Sequence, residues 1–336
     1  MSKIRVGLVG CGRIAQFHLD ALKANSHYAI EAVCDVLADR ATAAAVKYGA
    51  RAHSSMEEML ASARLDLIVL TTPSNLHPSQ AIQCADAGIA CLSEKPFGVF
   101  YEEALRAVEH FEVKRVPLFV VKQNRYNPTV QKVRSWYESG ILGQIYLIQA
   151  NVFWQRPQSY YDAETWRGKR AQDGGAFMNQ ASHYVDLVQW FGGEVTSVQS
   201  ELATRARKME CEDTGAALIR FKSGTIGTIA VTMLTYPENA EGSLMILAEN
   251  GTIKIGGKAM NKLELVRVKG VSEVDNVSYE PSTVYGNGHT EYYRQLVEFL
   301  ANPQHPGAIT GREGLKSLKL LTEIYRDEDK KRGFHS

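Results

Sequence analysis

Gly10-Cys11-Gly12-Arg13-Ile14-Ala15 spells G-x-G-x-x-A between an apolar run and a helical pattern. Such spacing serves phosphate binding. Gly10 permits a tight turn, Gly12 lets a pyrophosphate approach the backbone, and Ala15 is small enough for close packing of helix on strand. The phosphates would sit on the free N–H groups and the positive dipole end of the helix. Asp35 ends the next apolar run, roughly 20 residues on, where a carboxylate bonds the adenosine ribose hydroxyls and repels a 2′-phosphate. The pattern points to NAD rather than NADP. Arg40 lies over the adenine or is a solvated helix arginine.

The elements that must position these residues are legible nearby. Ile4 to Val9 reads as a buried strand, and Gly12 to Ala24 as a helix with Ile14, Phe17, Ala21 and Leu22 on one face. Ile30 to Cys34, Leu67 to Thr71, Ile89 to Leu92 and Leu118 to Val121 are further strands. Between them lie an Ala-rich helix through Tyr48, a short helix capped by Ser54 or Ser55, and helices at Ser79 to Ala87 and Glu102 to Phe111. Strict alternation of strand and helix implies parallel strands with right-handed crossovers. The expectation is an α/β, doubly wound Rossmann domain over residues 1–123. Ligands of such sheets sit beyond the carboxyl ends of the strands. Three polar clusters fall there: Thr71-Thr72-Pro73-Ser74-Asn75-Leu76-His77, Ser93-Glu94-Lys95-Pro96, and Lys122-Gln123-Asn124-Arg125.

The pattern changes after Lys122. A helix runs from Asn127-Pro128 to Gly140, a long strand lies within Leu142 to Trp154, and a helix is expected from Ala176 to Phe191. From Val195 to Val268, alternating runs joined by turns such as Glu249-Asn250-Gly251 read as an open, mainly antiparallel sheet of about five or six strands. Helices return at His289 to Leu300 and Arg312 to Lys331. Residues 124–336 form a second, α+β domain for substrate binding and oligomerisation. Leu218, Ile226, Ile229, Val231, Met233, Met245 and Leu247 give its sheet apolar surface, which a homo-oligomer pairing sheet faces would cover. Asn179 and His183, four residues apart on the expected helix, share a face. Before it, Arg156, Arg167, Lys169 and Arg170 lie among Tyr160, Tyr161 and Trp166. Arginine forks suit a pyrophosphate or a carboxylate, and the rings suit a sugar or a base.

A net charge of +1 gives no global field for nucleic acid or an anionic membrane. No apolar run approaches the ~20 residues of a membrane helix, and the start at Met1-Ser2-Lys3 has no signal-peptide pattern. The cysteines, Cys11, Cys34, Cys84, Cys91 and Cys211, lack metal-site spacing, so they are expected reduced, in a cytoplasmic protein without a metal.

Gly10 to Ala15, Thr72 to His77, Glu94-Lys95-Pro96, and Gly174-Gly175 followed by His183 and Asp186 make the chain resemble the glucose–fructose oxidoreductase / inositol dehydrogenase family (Gfo/Idh/MocA) along nearly its whole length. Further runs are similar to the family's UDP-N-acetylglucosaminuronate 3-dehydrogenases. They include Val121 to Arg125, Asn151 to Trp154, Tyr160-Tyr161-Asp162, Trp166 to Lys169, Met233 to Pro237, Ser282 to Gly286 and Gly311 to Gly314.

The resemblance implies that Lys95 is catalytic, joined by His183 over the nicotinamide, with Glu94 and Pro96 setting the turn and the peptide before Pro96 often cis. It assigns to the cofactor Gly10, Gly12, Arg13, Ile14, Asp35, Arg40, Thr72, Pro73, Ser74, Asn75, His77, Glu94, Lys95, Gln123, Trp166 and Arg167. To the substrate it assigns Lys95, Asn124, Arg125, Arg156, Tyr160, Tyr161, Arg167, Asn179, Ser182 and His183. The family often carries aspartate where this chain has Asn179, which suits a substrate hydroxyl better than a proton transfer. The implied reaction is NAD-dependent oxidation of the sugar 3-hydroxyl of a UDP sugar, UDP-N-acetylglucosaminuronic acid, for surface-polysaccharide sugars, in a homotetramer. NADH either leaves after each cycle or is reoxidised in place by a second substrate such as a 2-oxo acid. The alternative is a cyclitol or free-sugar dehydrogenase, which would not need the Arg-rich loop. A non-catalytic regulator is disfavoured because Lys95 and His183 are both kept.

Overall fold

The computed structural model describes residues 2–272, 277–281, 288–305 and 307–331. The run Ser282 to Gly286 lies outside them. In chain order the elements begin β1 (Ile4–Val9), α1 (Arg13–Lys23), β2 (Tyr28–Cys34), α2 (Ala38–Tyr48), β3 (Arg51–His53), α3 (Met56–Ser62), β4 (Leu67–Leu70), α4 (His77–Asp86), β5 (Ala90–Ser93), α5 (Tyr101–Lys114) and β6 (Leu118–Val120). They continue with α6 (Pro128–Glu138), β7 (Ile145–Phe153), α7 (Gln158–Asp162), α8 (Ser182–Gly192), β8 (Val195–Ala203), β9 (Thr214–Phe221), β10 (Ile226–Thr232), β11 (Glu241–Ala248), β12 (Gly251–Gly256) and β13 (Lys262–Val268). The last two are α9 (Gly288–Ala301) and α10 (Gly311–Lys331).

The chain divides into two units, one of Met1–Val121 with His289–Leu315, the other of Lys122–Gly288 with Lys316–Ser336. Residues 289–315, expected in the second domain, therefore group with the first. The reason is local. Val120 donates its N–H to Ile309 O at 3.0 Å, and Phe119 bridges Thr310, so the returning chain covers the β6 edge.

The first unit holds a six-stranded sheet in the order β3-β2-β1-β4-β5-β6, every pair parallel. Val6, Leu8, Val33, Ile68, Leu92 and Phe119 are fully buried, as expected of strands covered on both faces. β3 has only three residues, two of them exposed, so it left no apolar run to read. Ser55 caps α3 by accepting the Glu58 N–H. The order reverses between β1 and β4, the usual ligand position in such sheets.

Among the described residues the second unit has one seven-stranded sheet in the order β13-β12-β11-β7-β10-β9-β8; six of its strands, β8 to β13, fall within Val195 to Val268 as expected, and β7 is the long strand expected before them. The β7–β10 pair is parallel and the other neighbours are antiparallel. Side-chain alternation separates the apolar residues expected on one surface. Ile229, Val231 and Met233 are buried on the face that α8 covers, whereas Leu218 and Ile226 are each 38% exposed on the other. The register places Met245 and Leu247 with that second group. No helix among the described residues is long and apolar enough to cross a membrane.

Candidate active site

In the first unit Gly10 follows β1 with φ +94, and a Cβ there would lie 2.8 Å from backbone atoms of Thr71 and Thr72. Only glycine lets the β1 and β4 ends approach this closely. Around Gly12 a Cβ would meet nothing within 4 Å. Gly12 is the N-cap of α1 and has no side chain to cap it, which leaves the first N–H groups of the helix to another acceptor. Asp35 closes β2 with Oδ2 accepting the Cys11 N–H and Oδ1 accepting the Leu37 N–H, both at 2.8 Å. Those bonds fix the carboxylate and leave it lone pairs for ribose hydroxyls. Val36 beside it is 87% exposed and Leu37 is 51% exposed. This apolar shelf suits an adenine ring, and sequence reasoning missed it because one valine in a loop carries no periodicity. Arg13 and Arg40 are exposed at the starts of α1 and α2. An open glycine, an uncapped helix start and a fixed acid together fit a dinucleotide.

Several polar residues at the other strand ends are inward ties. His77 is buried, with Nδ1 2.9 Å from Pro96 O and Nε2 2.8 Å from Thr72 O. Both ring nitrogens are engaged, so His77 joins two loops and has none left for the cofactor. Glu94 likewise turns inward. Its Oε1 lies 2.9 Å from His18 Nε2, and its Oε2 accepts the Lys95 N–H at 2.9 Å. Burial would raise the Glu94 carboxyl, but His18 and His289 hold it well below its usual range. His18, Glu94 and His289 place ligand atoms within 4.8 Å of one another. Since the Tyr293 hydroxyl lies 2.8 Å from His18 Nδ1 and Glu94 is on Nε2, the cluster is a hydrogen-bonded tie between α9 and the Lys95 turn. The Lys95-Pro96 peptide is cis. Thr72, Pro73, Ser74 and Asn75 follow β4, where Thr71 binds the Val9 and Gly10 carbonyls.

The second unit gathers the remaining candidates. Its helix begins at Ser182, not near Ala176, so Asn179 and His183 do not share a helical face. Asn179 stands in the preceding turn, its amide donating to Asp173 Oδ1. Asp173 Oδ2 accepts the Gly168 N–H at 2.9 Å, which ties the Arg167-Gly168 loop to that turn. Ser182 Oγ donates to Asn179 O at 2.9 Å. His183 is the second residue of α8, and its Nε2 lies 3.1 Å from Nε2 of the buried Gln123. Asn124 is partly exposed in the turn after Gln123.

Arg125, expected on substrate, instead clamps Asp186 of α8 with its fork while lying 4.8 Å from the Trp190 ring. Arg170 pairs with Asp329 of α10 and Lys169 is exposed. Arg156 and Arg167 differ. Their guanidiniums lie 5.6 and 4.3 Å from the Tyr160 ring centre, and Trp166 lies 5.5 Å from Arg167. Arg167 donates to Tyr160 O at 2.7 Å, yet among the described residues its buried Nε has no hydrogen-bond partner. Among the described residues neither arginine forms an ion pair with a carboxylate. Tyr161 packs edge-on against Tyr160, its buried hydroxyl without a partner among the described residues.

Comparison with known proteins agrees with both units. Residues 4–122 match the oxidoreductase family with an NAD-binding Rossmann fold, and residues 130–254 match the GFO/IDH/MocA C-terminal domain. The WlbA dehydrogenase of Bordetella pertussis, crystallised with NADH and UDP-GlcNAcA, is 48% identical with a TM-score of 0.92, covering 97% of this chain and 95% of that one. The WlbA enzyme of Chromobacterium violaceum, in complex with the same two molecules, is 45% identical with a TM-score of 0.89, covering 97% and 94%. The rhizopine catabolism protein MocA of Rhizobium meliloti is 31% identical over 58% of this chain, which spans 59% of that protein's length. With family likeness across both units, and glycines and acid placed for a dinucleotide, the chain belongs to the Gfo/Idh/MocA family of oxidoreductases and carries its NAD-binding Rossmann domain.

Proposed function

We propose that this protein oxidises the 3-hydroxyl of UDP-N-acetylglucosaminuronic acid to the 3-keto sugar, in the cytoplasm, for surface-polysaccharide sugar synthesis. The observation that carries the reading is the Arg156–Tyr160–Arg167 stack, two guanidiniums on one ring with a buried Arg167 Nε that no described residue bonds. A ligand with two anionic groups, a pyrophosphate and a carboxylate, satisfies such a group, whereas an uncharged cyclitol leaves it desolvated and unpaired. The two WlbA structures, alike over 97% of the chain, support the same substrate.

Bound NAD+ supplies the two-electron acceptor for the 3-carbon. Lys95, as the neutral amine, takes the hydroxyl proton. His183 orients that hydroxyl, because Gln123 already engages its Nε2. Asn179, held by Asp173, bonds a neighbouring hydroxyl, and Arg156 and Arg167 take the anionic groups. The apolar sheet face with Leu218, Ile226, Met245 and Leu247 pairs with another copy in a homotetramer, which sedimentation would check.

The test supplies NAD+ with UDP-N-acetylglucosaminuronate, UDP-glucuronate, UDP-N-acetylglucosamine and myo-inositol in turn, with and without a 2-oxo acid. Expected is NADH and a keto sugar from the first substrate. Lys95→Ala should lower turnover by about 10³-fold and His183→Ala by about 10²-fold, with NADH still bound. Turnover of myo-inositol alone, or full activity in Lys95→Ala, would sink the reading.

A further inference from the structure

The turn from Gly174 to Ala181, which delivers Asn179 and His183, uses its two glycines for different reasons. Gly174 has φ +75. Gly175 has no such φ, but a Cβ on it would fall 2.0 Å from Glu212 Oε2. The Glu212 carboxyl occupies the place of a side chain. Its Oε1 accepts the Phe177 N–H at 2.9 Å and the Tyr325 O–H at 2.8 Å. The Tyr325 oxygen accepts the N–H groups of Gly175 at 3.1 Å and Met178 at 3.2 Å. The Glu212 carbonyl accepts the Ala176 N–H at 3.1 Å. Four consecutive amides of the turn thus end on Glu212 or Tyr325.

A glutamine accepts the same two hydrogen bonds without the desolvation penalty of a charge. A carboxylate in this place therefore asks for a reason, and charge-assisted bonds are about twice as strong as neutral ones. We propose that Glu212, acting through Tyr325 and the turn amides, is a positioning residue whose ionised form holds Asn179 and His183 in their working placement. The catalytic part rests on the reading that His183 acts on the substrate.

Glu212 is 4% exposed, and burial pushes its carboxyl up to about 7, against the pull of the Phe177 N–H and the Tyr325 hydroxyl. The charged and titratable groups that face it are Tyr325 of α10, Arg170 of the polar loop and Cys211 beside it. Arg170 is already paired with Asp329, so it neutralises little of the Glu212 charge.

The test compares wild type with Glu212→Gln from about pH 5.5 to 8.5, using NAD+ and UDP-N-acetylglucosaminuronate. Dividing one profile by the other cancels titrations common to both. The ratio of kcat/KM should climb from about 1 below pH 6 to about tenfold above pH 8, with its midpoint near 7. A flat ratio overturns the proposal. A second arm needs no substrate. In 15N-labelled full-length protein the Phe177 and Met178 amides should titrate near pH 7 in wild type and stay still in Glu212→Gln. Amides that ignore pH in wild type overturn the proposal. Absent turnover in wild type strikes the functional reading alone, because the amide arm still decides Glu212. Tyr325→Phe should lower kcat about tenfold with NADH affinity unchanged, and full kcat in it counts against the proposal.

Discussion

Asp186 grips Arg125 bidentately, with Nε 2.7 Å from Oδ2 and Nη2 2.9 Å from Oδ1, where each side chain is no more than 5% exposed. Lys122 Nζ stands 3.4 Å from the same carboxylate and donates to Ser317 at 2.6 Å. Burial alone would raise the Asp186 carboxyl, but these cations hold it well below the usual carboxylate range. Removing the acid strands two buried cations. Asp186→Ala should therefore cost about 3–5 kcal/mol, read by urea unfolding. The contribution is present above the ordinary carboxylate pKa and lost as pH falls through the depressed one. A variant as stable as wild type would mean that the cations find water or other partners.

How much of this was legible in the sequence differs between the units. The dinucleotide turn was readable because its constraints are local: Gly10 needs its φ, Gly12 needs space, and Asp35 needs a strand end. The start of α8 was not. Ala176 to Phe191 has helical spacing, yet its first amides are drawn off by Glu212 and Tyr325, distant partners no local pattern reveals. Likewise, family likeness marked His77, Glu94 and Arg125 as important but did not fix their direction. Each turns inward because a buried partner, Pro96, His18 or Asp186, satisfies it there.

A substitution at Asp35 tests whether cofactor binding and sugar binding are separable. The residue's two backbone hydrogen bonds hold the β1 and β2 ends in register with the open glycine turn. Asp35→Ala should weaken NADH binding about 10–100-fold, roughly two lost hydrogen bonds to a charged acceptor, and relax discrimination against NADPH. NADH fluorescence titration measures the first effect and a parallel NADPH titration the second. Sugar-nucleotide affinity, measured calorimetrically, should change far less. Equal weakening of both would place the cofactor elsewhere.

Arg167 offers the converse test. Its Nη1 holds the Tyr160 carbonyl and its buried Nε is unbonded among the described residues, so the fork is aimed by one contact and available through another. Arg167→Lys keeps the charge but loses the fork. The KM for the sugar nucleotide should rise about tenfold or more with little change in NADH affinity, and an uncharged sugar analogue should lose nothing. An equal loss for charged and uncharged substrates would show that Arg167 shapes the loop rather than binding an anion.

Glu212 predicts a pH dependence of stability opposite to that of Asp186. A carboxyl raised to about 7 favours its neutral form in the folded protein. Its stabilising contribution is complete below the ordinary glutamate pKa and disappears as pH rises through about 7. The full swing corresponds to about 3 kcal/mol. Glu212→Gln stays neutral throughout, so it should match wild type near pH 4 and exceed its melting temperature at pH 8. The same variant is expected to be the poorer catalyst at pH 8, because the charge that strains the fold is the one that tightens the turn before His183. A variant less stable than wild type at pH 8 would mean that ionised Glu212 gains more from Phe177 and Tyr325 than burial takes away.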